Sequence, residues 1–184
     1  GYRGTSLREI ARRVGISDAG LLHHFGSKVG LLAATIAARD EIDRARREES
    51  EAAGVSFVDT MREQVARNTR SPGLVALHVV LSAEATDPQH PAHESFRDRY
   101  RALRHQDDES FSRLQDEGHL RNDLDAERVG QLVTAMMDGL QLQWLLDPDA
   151  VDMAGLFEDF LHLLEIPAPR EDDAAEGRAP ASPE

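Results

Sequence analysis

Thr5-Ser6-Leu7-Arg8-Glu9-Ile10-Ala11-Arg12-Arg13-Val14-Gly15-Ile16-Ser17, followed at once by Asp18-Ala19-Gly20-Leu21-Leu22-His23-His24-Phe25-Gly26-Ser27-Lys28, decides how the chain begins. Ser6 with Glu9 three residues on is a capping box, in which the hydroxyl takes a free N–H and the carboxylate reaches back. It opens a short helix that runs to about Val14, where Gly15 supplies the stop. Ser17 caps a second short helix, about Asp18 to Phe25. Gly26 ends that one, and Ser27 caps a third and much longer helix from Lys28 to about Glu51. Two short helices joined by a tight glycine turn, then a long helix, is an arrangement that lays its second helix in the major groove of DNA.

Charge is distributed to match. The chain of 184 residues carries a formal net charge of −13. Residues 1–28 hold Arg3, Arg8, Arg12, Arg13 and Lys28 against Glu9 and Asp18, five cations to two anions, so this segment is +3 and the remainder −16. A basic head on an acidic body suits a protein that meets phosphate at one end only.

Helical periodicity continues beyond the head, with no alternating strand pattern. Phe57, Val58, Met61 and Val65 mark a helix to about Thr69. Pro72 opens the next, and Leu74 to Ala85 is apolar on nearly every side, which predicts burial all round. Phe96, Tyr100, Leu103, Phe111 and Leu114 stripe a long helix to about Glu117. Asp125 caps another through Trp144, and Met153, Phe157, Phe160, Leu161 and Leu164 form the last stripe. From Pro167 the chain turns rich in proline and acids and has no large apolar side chain, so 167–184 is expected to be a disordered tail. The fold class is therefore all-α: a helix-turn-helix head over 1–46, a helical regulatory and dimerisation bundle over 47–166, and the tail.

Several function classes find no support. There are no cysteines, and no apolar run reaches the length of a membrane span, so no membrane association is expected and the cytoplasm is the natural compartment. There is no glycine-rich phosphate loop, nucleophile motif or paired-carboxylate constellation. His90 and His93, with Asp87, sit in a proline-rich loop without a further ligand set, and turn formation and helix capping are their expected roles. No metal, cofactor or enzymatic activity is expected.

The stretch Thr5–Ser17 and the run Leu21–Lys28 closely resemble the TetR family of bacterial regulators. Glu84-Ala85-Thr86-Asp87-Pro88, His90–His93 and Met137–Trp144 resemble a common actinobacterial branch of it. The resemblance implies a transcriptional regulator, more often a repressor than an activator, that binds a palindromic double-stranded DNA operator as a homodimer. It implies a helix ahead of Gly1 that completes the head. It places Ile10, Ala11, Val14, Ile16, Leu21 and Phe25 in the head's core. It makes Thr5, Ser6, Ser17, Asp18, Ala19, Gly20, Leu22, His23, His24 and Lys28 the DNA-facing residues, with Arg3 adding a backbone contact. Leu22 stands where the family usually has Tyr, which removes one hydrogen bond. No Arg, Lys, Asn or Gln falls between Ser17 and Phe25, so phosphate contacts and DNA shape are expected to carry much of the affinity.

The resemblance also implies a small-molecule effector bound in the body, with Phe57, Met61, Leu77, Leu81, Tyr100, Arg104, Met137, Leu140, Gln141 and Trp144 as candidate lining. Asp107 falls on the register of the Phe96–Leu114 stripe and is a further candidate. The last two helices are the expected dimer contact, through Val129, Val133, Met136, Leu140, Phe157, Phe160 and Leu164. The competing reading is a helical ligand-binding or adaptor protein without DNA binding.

Overall fold

The computed structural model describes residues 5–164. Over that range the chain forms eight α-helices and no sheet: α1 (Leu7–Val14), α2 (Asp18–Phe25), α3 (Lys28–Ala52), α4 (Phe57–Thr69), α5 (Pro72–Glu84), α6 (His93–Asp116), α7 (Ala126–Leu146) and α8 (Met153–Leu164). The expected tail, Arg3, and the boundary at 166 lie outside the described residues.

Local chemistry explains where the helices start. The hydroxyls of Ser6, Ser17, Ser27 and Ser56 accept the N–H of Glu9, Gly20, Gly30 and Asp59, and the Asp125 carboxylate accepts that of Arg128. Each satisfies a donor that helix geometry leaves free. Gly15 turns the chain between α1 and α2 at φ 77°, a left-handed conformation that suits glycine.

The head packs α1 on α2 and α2 on α3. Ala11 and Leu21 are buried between them, Ile10 and Phe25 are half-buried, and Val14 and Ile16 are more than half exposed. Those last two were expected in the core. They lie on the side of α1 and its turn that neither α2 nor α3 covers.

In the body α6 and α7 form the most extensive helix pair, α8 packs on α4 and α7, and α3 runs across α4 and α5. The main core gathers Phe57, Val65, Phe111, Leu114, Val129, Val133, Leu140, Phe157, Leu161 and Leu164. Phe57 and Phe111 meet edge to face at 5.3 Å. A second cluster, Ile36, Leu81, Ala85, Ala92 and Phe96, joins α3 to α5 and the start of α6. At about 2–3 kcal/mol for each large apolar side chain, these clusters fix the pitch at which α3 crosses the body. Helix α5 departs from expectation: only Val75, His78, Leu81 and Ala85 are buried, while Leu74 is exposed. Its other sides are merely half-covered, because α3, α4 and α7 embrace one face.

Candidate DNA-reading head and effector cavity

Helix α2 presents Asp18, Ala19, Gly20, Leu22, His23 and His24 outward, all exposed, and holds itself in place by burying Leu21. Ser17 is exposed at its N-terminus while capping Gly20 N–H at 3.0 Å. Thr5 is half-buried, Ser6 is exposed, and Lys28 is half-buried at the first turn of α3. The expected DNA-facing residues therefore share the outer side of α2 and the starts of the helices flanking it. On α1, Glu9 takes hydrogen bonds from Arg12 at 2.7 and 3.0 Å and from Arg13 at 2.8 Å. These bonds hold the Glu9 carboxyl below its ordinary pKa and orient two of the head's cations.

Within the body, α3, α4, α5, α6 and α7, with Phe157 of α8, line a partly open cavity of about 100 Å³. Phe57, Met61, Met137 and Gln141 line it, as does Asp107. The other expected lining residues are placed elsewhere. Arg104 is exposed on the far side of α6. Leu77 and Leu81 pack in the α3–α5 cluster, and Leu140 and Trp144 in the main core. Tyr100 packs on the second cluster, but its hydroxyl reaches the cavity wall through Asp138.

The wall is far more polar than the sequence reading expected. Asp138 on α7 accepts a hydrogen bond from the Tyr100 hydroxyl at 2.6 Å and faces His78 Nε2 at 3.1 Å. Burial opposes ionisation of Asp138, but the bonds from His78 and Tyr100 prevail and its pKa lies below the ordinary value. Burial, then the bond to Asp138, raises that of Tyr100. Asp107 is pushed up to about 6 by burial, against a hydrogen bond from Thr134 and the attraction of Arg47. Burial depresses the pKa of Arg47, and Asp107 opposes that shift most among several acids. Arg47 donates to Gln106 at 2.5 Å and lies 5.8 Å from the centre of the Phe57 ring.

Three buried polar atoms at this cavity have no hydrogen-bond partner in the protein: Asn68 Nδ2, His78 Nδ1 and Gln141 Oε1. Their residues are 1%, 4% and 6% exposed. Such atoms are costly unless something binds them. Asn68 and His78 were missed in the sequence. The signal was present: a histidine inside the otherwise apolar run Leu74–Leu81, and an asparagine in register with Phe57, Met61 and Val65.

Three wall residues, Arg39, Asp40 and Arg47, belong to α3. Arg99 of α6 binds Asp40 at 2.7 and 3.0 Å, and Arg39 donates to Asn68 Oδ1. The helix that follows the outward-facing α2 is thus also a wall of the cavity.

The residues expected at a dimer contact are mostly in the protomer's own core: Val129, Val133, Leu140, Phe157 and Leu164 are buried, and Met136 and Phe160 are half-buried against that core. These helices carry a second apolar row facing out. On α7 it runs Leu132, Ala135, Gly139, Leu142, Leu146, and on α8 Leu156, Phe160, Leu163. Leu146 is 77% and Leu163 71% exposed.

The loop histidines do local work. His90 Nδ1 accepts the Ala92 N–H at 3.3 Å, and His93 Nδ1 sits 2.9 Å from the Ala85 carbonyl. Among the described residues no group of three or more His, Asp or Glu side chains is placed to hold a metal. No described helix is long and apolar enough to cross a membrane.

Comparison with known proteins agrees with this arrangement. Residues 1–35 match the model of bacterial regulatory proteins of the tetR family, and residues 57–165 match that of the BetI-type transcriptional repressor C-terminal domain. The chain is 25% identical over 172 residues to the HTH-type transcriptional regulator TtgR of Pseudomonas putida, covering 88% of this chain and 80% of that protein. It shares its fold with a putative transcriptional regulator from Saccharomonospora viridis solved with choline (TM-score 0.68, 20% identity, 88% of this chain and 87% of that one). The same holds for Thermus thermophilus FadR, a transcriptional repressor solved with lauroyl-CoA (TM-score 0.65, 23% identity, 92% and 91%). With the second model spanning more than half of the sequence and the first covering its head, the chain belongs to the tetR family of bacterial transcriptional regulators.

Proposed function

We propose that this protein is a cytoplasmic, non-enzymatic repressor that binds a palindromic operator as a homodimer and lets go when a small molecule fills the α3–α7 cavity. The observation that carries this reading is α3 itself. It begins three residues after the end of the outward-facing α2, and eleven residues later Arg39 and Asp40 enter the cavity wall. At 1.5 Å per residue that lever is about 16 Å, so a tilt of about 5° at the cavity moves the head by roughly 1–2 Å. In a dimer the two reading helices must stay about 34–36 Å apart to meet successive major grooves. Opposed shifts of that size in both heads spoil the match, and a ligand with different affinity for the two states drives them.

The exposed apolar rows of α7 and α8 support the dimer. The spacing of Leu132, Ala135, Gly139, Leu142 and Leu146 alternates three and four, the seam of helices that pack side by side. Monomeric proteins rarely leave so continuous an apolar surface in water. Two copies joined there form a four-helix contact. On the DNA side, we assign phosphate contacts to Thr5, Ser6, His24 and Lys28, and groove contacts to Ser17, Asp18, Ala19, Gly20, Leu22 and His23.

The test is sedimentation of the full chain with a fragment from its own promoter. Two protomers per fragment, protecting a two-fold symmetric sequence, is the expected result. One protomer per fragment, or protection without symmetry, contradicts the proposal.

A further inference from the structure

Granting that the cavity is the effector site, its wall says what kind of molecule enters. The guanidinium groups there already have protein partners. Arg99 is held by Asp40. Arg39 is held by Asn68 and lies 3.5 Å from Asp43. Arg47 donates to Gln106 and packs over Phe57. The carboxylates differ among themselves. Asp40 has Arg99, and Asp138 has Tyr100 and His78. Asp107, 7% exposed, takes one hydrogen bond, from the Thr134 hydroxyl on Oδ2 at 3.2 Å, and feels the charge of Arg47 without a bond to it.

Three unpartnered atoms stand in the same wall. Gln141 Oε1 is an acceptor. His78 turns Nε2 toward the Asp138 carboxylate, and its buried Nδ1 has no protein partner. Asn68 Nδ2 is an unpartnered donor, while its Oδ1 accepts from Arg39. The cavity therefore offers a buried carboxylate with one hydrogen bond, and near it the unpartnered atoms of Gln141, His78 and Asn68. It is small, about 100 Å³, and only Phe57 and Phe157 among its lining residues are aromatic. An aromatic cage, the usual cradle for quaternary ammonium, is not what this wall provides.

We propose that the effector is a compact protonated primary or secondary amine that also bears a hydrogen-bond acceptor, its N–H groups meeting Asp107 and Gln141 Oε1, its acceptor meeting Asn68. A buried carboxylate gains most from a cation that also donates hydrogen bonds. Size and polarity together reject long acyl chains.

Calorimetry and thermal unfolding of the full chain test this with ethanolamine, putrescine, choline, glycolate and lauroyl-CoA as probes, each repeated with operator DNA present. Binding by ethanolamine or putrescine, ahead of choline and glycolate, is expected. Affinity should fall by at least about tenfold in Asp107→Asn and fall also in Gln141→Met, a second variant that keeps the side-chain bulk should the first not fold. Preferred binding of glycolate, choline or lauroyl-CoA, or amine binding that Asp107→Asn and Gln141→Met both leave intact, overturns the proposal, as does the absence of binding by either amine. Release of DNA by one of those other probes would still uphold the effector reading. Amine binding that leaves operator affinity unchanged would sustain the ligand class and sink the effector reading instead.

Discussion

Arg99 on α6 grips Asp40 on α3 with two parallel hydrogen bonds, 2.7 and 3.0 Å long, at the edge of the internal cavity. The pair is the direct ionic tie between the cavity's α6 wall and the helix that leads to the head. Partly exposed ion pairs contribute little to stability, about 0–1 kcal/mol. Arg99→Gln should therefore leave the melting temperature nearly unchanged and operator binding intact, yet weaken the release of DNA by effector. Titration of the operator complex with and without ligand checks this. A variant that releases DNA as readily as the parent would show that the tie transmits nothing.

Asp107 makes stability depend on pH in an unusual direction. Its folded pKa, about 6, lies above the ordinary 3.8, so between those values the folded state holds the proton more tightly than the unfolded chain. Stability is then highest near and below pH 4 as far as this group is concerned, and it declines as pH rises through 6. The charged group that acts on it is Arg47 from α3. Asp107→Asn should remove this contribution and stabilise the empty protein at pH 8 by up to about 3 kcal/mol. Denaturant melts of both proteins at pH 5 and 8 measure it; equal pH dependence in the two would contradict the assignment.

Gly30 sits where α3 passes the end of α2. A Cβ there would stand 2.1 Å from the Phe25 carbonyl oxygen, whereas one on Gly139 would meet nothing in the protomer within 4 Å. Gly30→Ala must push α2 off α3, costing about 1–3 kcal/mol and disturbing the reading helix. Operator affinity should collapse while the body keeps its helicity and its ligand. Full DNA binding by Gly30→Ala would mean that the α2–α3 junction yields cheaply.

The outward rows and the inward stripes of α7 and α8 separate dimerisation from folding. Leu142→Glu with Leu146→Glu alters two side chains already in water in the protomer. It should give a folded monomer that no longer binds the operator tightly. Phe157→Ala opens the core instead and should cost about 3–5 kcal/mol with the dimer constant little changed. Analytical ultracentrifugation beside thermal melts distinguishes them, and a dimer that survives both glutamates places the interface elsewhere.

These two faces also show what the sequence could and could not tell. Caps, glycines and prolines located every helix to within a few residues, because those signals act on the backbone locally. Burial depends on neighbours. Helix α7 is apolar on two sides, and periodicity reports both Val129–Val133–Leu140 and Leu132–Ala135–Leu142 without saying which meets the protomer's own core. Arg104 failed for the same reason, since a register on α6 does not say how far the helix is rotated. Asn68 and His78 were legible as polar residues out of place, but only the folded helices bring them to the cavity that Met61, Met137 and Gln141 also line.

The central claim is that α2 reads DNA, and the most direct measurement is a salt titration of binding to a duplex from the protein's own promoter, with a scrambled duplex as control. Tight binding to the first, weak binding to the second, and an affinity that falls steeply as salt displaces the contacts to phosphate are expected. Equal or negligible binding to both duplexes would contradict it and leave a helical ligand-binding protein whose head no longer reads DNA.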